Sequence, residues 1–187
     1  MKLIILDRDG VINEDRDDYI KSPDEWVPIP GSLAAIARLH HEGWRVVIAS
    51  NQSGFGRGLF DMNTLNAIHL KMQKSLATAG GRLDAIFFCP HAPEDHCNCR
   101  KPKPCLFQDI ANRYGLDDLR DVPAVGDSLR DLQAAQPLGC GLHLVRTGKG
   151  ERTLAAETLP TGTHVHDDLA AFTDWLLSQP VKPQATA

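Results

Sequence analysis

The sequence predicts an α/β protein: a doubly wound, Rossmann-like three-layer sandwich on a mainly parallel sheet. Three observations point there. Short continuous apolar runs that end in polar or acidic residues recur along the chain, as they do in strands buried on both faces. Apolar residues at helical spacing lie between those runs, and strand–helix alternation implies right-handed crossovers. The length, 187 residues, suits one hydrophobic core.

The first strand is Lys2–Asp7, an apolar run closing on an acid. Pro30, Gly31 and Ser32 then supply helix start signals, Leu33, Ile36, Ala37 and His40 mark one face, and Gly43 is a stop. The second strand is Arg45–Ser50, followed by a helix with Leu65, Ile68, Met72 and Leu76 on one side. Asp84–Cys89 is the third strand, and a helix is expected to begin near Pro104, because proline suits a first turn. Val122–Asp127 is the fourth strand. The helix after it starts at Asp127 or Ser128 and should end before Pro137. Gly141–Val145 is a weaker fifth strand. Residues 1–178 are expected to form a single domain, and the Pro-rich stretch 179–187 to be a disordered tail.

Composition narrows the function. The net charge of −4 argues against nucleic-acid binding, which calls for a basic stripe. No apolar run approaches the ~20 residues of a membrane span, and the opening segment is too short and acidic for a secretory signal. A cytoplasmic protein is expected, and a monomer, since no apolar stripe is left for a partner. Cysteines stand at 89, 97, 99, 105 and 140. Their odd number and close clustering suit metal binding better than disulfides.

In open α/β sheets, ligands bind beyond the carboxyl ends of the strands. Those ends carry Asp7-Arg8-Asp9, Ser50-Asn51 and Gly126-Asp127, and the long loop after the third strand ends in Arg100-Lys101. One rim thus receives carboxylates, a hydroxyl, an amide and cations. Cys89-x-His91-x5-Cys97-x-Cys99 offers three thiolates and an imidazole, a closed tetrahedral set of the structural-zinc kind, with zinc loop boundaries at 89–103. His96 could compete with His91. Cys105 and Cys140 read as small core residues.

In this order the motifs resemble the haloacid-dehalogenase-type phosphatases. Asp7-Arg-Asp9-Gly-Val is similar to their first motif, Ser50-Asn51 to the second, Lys101 to the third and Gly126-Asp127-Ser-Leu-Arg-Asp131 to the fourth. Ser50–Arg57, Cys89-Pro-His91 and Cys97-Asn-Cys99-Arg-Lys-Pro102 resemble the branch that acts on heptose 1,7-bisphosphate or histidinol phosphate. The resemblance runs from residue 2 to about 146. It implies that Asp7 is the nucleophile and Asp9 the proton donor and acceptor, with Mg²⁺ held by Asp7, Asp127 and the backbone carbonyl of Asp9. Ser50 and Asn51 would bind the transferring phosphoryl group and Lys101 would neutralise it. Asp131 would orient its neighbours or simply face solvent. A phosphate with ionised Asp7 and Asp127 is balanced by Mg²⁺, Lys101 and Arg100 only if Asp9 is protonated, so its pKa must be raised. Because Cys99 directly precedes Arg100 and Lys101, zinc is expected to position both cations.

The intervals between motifs leave no room for a cap domain, so loops must recognise the substrate. The candidates are Asp15 and Asp18 on the flap, Ser50, Asn51, Gln52, Ser53 and Arg57 after the second strand, and Arg100 with Lys101. Arg57 and Arg100 would suit the second phosphate of a sugar bisphosphate. The Ser50–Arg57 and Cys99-Arg-Lys-Pro102 runs resemble the heptose members of that branch more closely, and the resemblance implies removal of the 7-phosphate of D-glycero-D-manno-heptose 1,7-bisphosphate, in the synthesis of nucleotide-activated heptose for lipopolysaccharide. The acids Glu14, Asp15, Asp17 and Asp18 keep histidinol phosphate as an alternative. A phosphoryl-accepting receiver domain is disfavoured because its acceptor position, after the third strand, is Cys89. A non-catalytic zinc-stabilised module would have no use for Asp7, Asp9 and Asp127 together.

Overall fold

The computed structural model describes residues 1–156 and 158–180. Six strands run parallel in one open sheet: β1 (Leu3–Leu6), β2 (Arg45–Asn51), β3 (Ala85–Cys89), β4 (Pro123–Gly126), β5 (Gly141–Val145) and β6 (His164–His166). Their order is β3-β2-β1-β4-β5-β6. β1 is therefore central, with Leu6 beside Ile48 of β2 on one side and beside Val125 of β4 on the other. The chain order reverses there, which opens a crevice at the carboxyl ends of β1 and β4.

The strand pleat divides the apolar residues between two cores. Leu3 and Ile5 turn to one face, where α4 (Cys105–Tyr114) and α5 (Leu129–Ala135) add Leu106, Phe107, Ile110 and Leu132. Ile4 and Leu6 turn to the other, packing on Ile36 and Leu39 of α1 (Ser32–His41) and Ile68, Met72 and Leu76 of α3 (Met62–Thr78). Burial on this scale contributes about 1.5–3 kcal/mol per Ile, Leu or Phe. The five expected strands and the helices between them are all present. The helix after β4 begins with Ser128 at its N-cap and gives way at Ala135 to a 3₁₀ turn that contains Pro137.

Three elements lie where the sequence offered no assignment: α6 (Gly150–Ala156), β6 and α7 (Leu169–Ser178). β6 is three residues with histidine at both ends, too short and polar to show a strand pattern. α7 completes the second core with Leu169 and Phe172. A short helix, α2 (Ser53–Gly56), also follows β2. Of the expected tail, Gln179 caps α7 through its N–H to the Leu176 carbonyl; residues 181–187 lie outside the described part. Among the described residues no helix is long and apolar enough to cross a membrane.

Candidate active site

A polar cleft of about 300 Å³ opens at the carboxyl ends of β1, β2 and β4. Asp7, Asp9, Asn51, Gln52, Ser53, Arg100, Lys101 and Asp127 line it, with Asp15 from the flap. Lys101 is fully buried at the floor. Its Nζ lies 3.1 Å from Asp7 Oδ1 and 2.7 Å from Asp131 Oδ1, and donates to the Ala49 carbonyl at 2.7 Å. Two reciprocal bonds hold its backbone: Lys101 N–H donates to Asn51 Oδ1 at 3.0 Å, and Asn51 Nδ2 to the Lys101 carbonyl at 3.1 Å. Asn51 thus clamps the third motif to the end of β2 rather than standing free for substrate.

Carboxylate oxygens of Asp7, Asp127 and Asp131 lie within 4.8 Å of one another. Burial, opposed by Lys101, pushes the Asp7 carboxyl up to about 7. Burial and the neighbouring Asp131 and Asp7 charges push Asp127 well above the usual carboxylate value. Asp131 is held low despite its burial, by Lys101 and by bonds from Ser128. A single lysine cannot neutralise three converging acids, so the cluster fits a divalent cation with oxygen ligands. Asp131 is thus a buried orienting group, not a solvated one: it accepts from Ser128 N–H and Oγ–H at 3.0 and 2.6 Å and caps α5. Gly126 gives it room, since a Cβ there would collide with it.

Asp127 is gripped from two loops. The Lys149 N–H donates to its Oδ2 at 2.7 Å, and Thr153 Oγ1 donates to its carbonyl at 2.9 Å. Gly10 (φ +81°) and Gly148 (φ +59°) press against the same carboxylate, where any Cβ would overlap it. Neither the Lys149 loop nor α6 was evident from sequence.

Asp9 departs from expectation. Burial alone would raise its pKa, yet the Arg8 charge and hydrogen bonds from Arg8, Asn13 and Gln52 outweigh that and hold it below the usual value. In the ligand-free protein it is therefore an anion rather than a protonated acid. Ser50 is buried beneath Gln52, whose Nε2 donates to Ser50 Oγ at 2.7 Å and to Asp9 Oδ2 at 3.3 Å.

The expected substrate groups fare unevenly. Arg100 NH1 donates to Ser53 Oγ, keeping both at the cleft wall. Asp15 lines the cleft but is ion-paired to Lys149. Asp18 is exposed and bound to Lys21 at 2.7 Å and Arg16 at 3.1 Å, and does not reach the cleft. Arg57 is spent on Glu94 at 2.9 Å, outside the lining. In its place the cleft receives Arg130, which follows the fourth-motif acid by three residues. Only its helical direction brings it there, so spacing alone could not single it out.

Cys89, His91, Cys97 and Cys99 converge beside the cleft, with donor atoms within 4.8 Å of one another. Cys99 Sγ lies 2.9 Å from Cys89 Sγ and 3.2 Å from His91 Nδ1, and no disulfide forms. The set matches a closed thiolate–imidazole site, with His91 rather than His96 in it.

An open parallel sheet with this carboxylate–lysine floor defines a haloacid-dehalogenase-type phosphatase, and the chain belongs to that family. A HAD-hydrolase-like model matches residues 98–172, and a polynucleotide kinase 3 phosphatase model matches residues 2–128. More narrowly, the chain is 62% identical to a D-glycero-β-D-manno-heptose-1,7-bisphosphate 7-phosphatase from Bordetella bronchiseptica, over 96% of this chain and 99% of that protein. The Pseudomonas aeruginosa protein of the same name is 53% identical over 94% and 97%. The crystal structure of the B. bronchiseptica D,D-heptose 1,7-bisphosphate phosphatase with magnesium and phosphate superimposes with a TM-score of 0.93 at 63% identity, covering 95% of this chain and 98% of that one.

Proposed function

We propose that the chain removes the 7-phosphate of D-glycero-β-D-manno-heptose 1,7-bisphosphate in the cytoplasm, as a monomer with a magnesium-dependent active site and a structural zinc. One observation carries the substrate assignment. Arg100 and Arg130 face the same cleft as Asp7, and neither forms an ion pair with a carboxylate among the described residues. Burial and the nearby Arg130 charge lower the Arg100 pKa. Two guanidiniums crowded in this way favour a dianion between them, such as a second phosphate. Three of the four flap acids that would welcome histidinol ammonium are already taken: Asp15 by Lys149, Asp17 by Arg152 and Asp18 by Lys21. Free thiols suit a reducing compartment.

Asp7, Asp127 and the Asp9 carbonyl would hold Mg²⁺, with Asp131 behind them; the ion would neutralise charge on the phosphoryl oxygens. Asp7 attacks phosphorus in line while the bond to the sugar oxygen breaks. Asp9, which takes up a proton from solvent as the substrate dianion settles beside it, gives that proton to the leaving oxygen. Water then attacks the aspartyl-phosphate and gives a proton back to Asp9, releasing phosphate and Asp7. Ser50 and Lys101 hold and neutralise the phosphoryl group, Asn51 fixes the backbone of Lys101, and Gln52 and Ser53 orient the groups around it.

The test is phosphate release with Mg²⁺ from the α and β heptose bisphosphates, histidinol phosphate and fructose 1,6-bisphosphate. The β-heptose bisphosphate should lead histidinol phosphate in kcat/KM by about 100-fold, which two lost charge-assisted bonds of about 1.5 kcal/mol each amount to. Preference for histidinol phosphate would overturn the assignment.

A further inference from the structure

Between the two motif acids stands a residue to which the mechanism above gives no role. Arg8 is among the largest fully buried side chains of the protein. Its Nε donates to Asp9 Oδ1 and its NH2 to Asp9 Oδ2, both at 2.9 Å, in a planar fork. Its NH1 is buried without a hydrogen-bond partner. Desolvating a guanidinium costs several kcal/mol, and leaving one nitrogen unpaired adds to that cost. Stability alone does not account for such a group. Asn13, also fully buried, donates to Asp9 Oδ1 at 2.9 Å. Gln52 links Asp9 Oδ2 to Ser50 Oγ. Each Asp9 oxygen is therefore held from two directions, and the second is tied to the hydroxyl beneath the phosphoryl site.

We propose that Arg8 is a positioning residue for proton transfer, fixing the plane of the Asp9 carboxyl against the cleft so that it meets the leaving-group oxygen. The proposal rests on the reading of Asp9 as proton donor. As the phosphorus–oxygen bond to the sugar breaks, the Asp9 proton passes to the sugar oxygen, and the carboxylate left behind is the form that the Arg8 fork binds best. When water attacks the aspartyl-phosphate, its proton returns to Asp9. Arg8 keeps its own protons throughout, because its guanidinium does not titrate. Lysine in its place would keep the charge but lose the fork.

The experiment compares kcat/KM on a sugar phosphate, whose alkoxide must be protonated to leave, with p-nitrophenyl phosphate, whose phenolate leaves without a proton. Asp9→Asn, Arg8→Lys and Asn13→Ser are measured, each checked for folding by thermal melting. Misplacing a reacting group by about 1 Å costs about 100-fold. Arg8→Lys should accordingly lower the ratio of sugar to aryl kcat/KM by about 100-fold, as Asp9→Asn does, and Asn13→Ser should lower it by about 10-fold. A merely structural role would lower both substrates together and leave the ratio unchanged. If Asp9→Asn moves the ratio and Arg8→Lys does not, the positioning role of Arg8 is wrong while the donor stands. If Asp9→Asn itself leaves the ratio unchanged, the donor reading fails and the proposal with it. Should Arg8→Lys not fold, Asn13→Ser decides: a selective loss supports the shared cradle, and a uniform loss overturns it.

Discussion

Lys101 is a single buried charge shared among three acceptors, Asp7, Asp131 and the Ala49 carbonyl. Removing one partner from a buried ion pair leaves an uncompensated charge, at about 3–5 kcal/mol. Lys101→Met should therefore destabilise the protein by about that amount in urea unfolding and also abolish phosphate release. A variant with wild-type stability would show that Asp7 and Asp131 are neutral without it. Asp7, Asp9, Asp127 and Lys101 were legible in the sequence because motif order and strand ends carry them. Arg130, Lys149 and the buried state of Asp131 were not, since each depends on the direction in which a helix or loop turns its side chain. Arg57 misled for the same reason: it has the right charge and spacing, but Glu94 holds it.

The loop from β3 to α4 ties its thiolate–imidazole cluster to the two cleft cations less uniformly than its sequence suggests. Cys99 adjoins both cations, yet Lys101 is also held by Asn51 and by the buried acids. Among the described residues the Arg100 side chain has Ser53 and the His91 carbonyl as hydrogen-bond partners, and His91 belongs to the thiolate cluster. Losing zinc should thus disturb the second-phosphate end of the cleft more than the reacting end. Cys99→Ser should raise KM for a bisphosphate about 10-fold or more, with a much smaller change in kcat and in the activity on a monophosphate. Metal analysis should show zinc lost from about one equivalent per chain. An equal fall in kcat on both substrates would mean that the loop also positions Lys101. The thiol positions of the cluster were readable from spacing, but which of His91 and His96 joins them was not; the unequal dependence required the Asn51 clamp to be seen.

Across the whole molecule, stability at mild acid depends on the sheet edge farthest from the thiolate–imidazole cluster. His143 of β5 is buried against Phe172 and Trp175, with His164 and His166 beside it and Asp167 nearby. Burial first, and then the charges of His166 and His164, push its pKa down to about 3. The unfolded chain, with a histidine near ~6.5, takes up a proton that the folded one refuses. This contribution is therefore complete above about pH 6.5 and is lost as pH falls towards 3, by about 2 kcal/mol between pH 6.5 and 5. Unfolding free energies of wild type and His143→Phe should diverge by that amount over this interval, with the variant less pH-dependent; parallel curves would refute it. The sheet and its two cores were legible as far as β5, where apolar runs are continuous. Beyond it, β6 and α7 are recognised only through the aromatic and histidine side chains they bring together.

The central place of β1 governs the order in which the two candidate metal centres can come into being. All donors of the thiolate cluster come from residues 89–99, so it can close as soon as that stretch has left the ribosome. The acidic centre cannot: Asp7 meets Asp127 only once β4 pairs with β1, joining Leu6 to Val125 across most of the chain. Such a long-range closure is late because its loop entropy must be overcome first. A growing chain can therefore capture a thiophilic ion while it still has no assembled pocket for magnesium, and Asp7 stands without its acidic neighbours until the sheet is nearly complete.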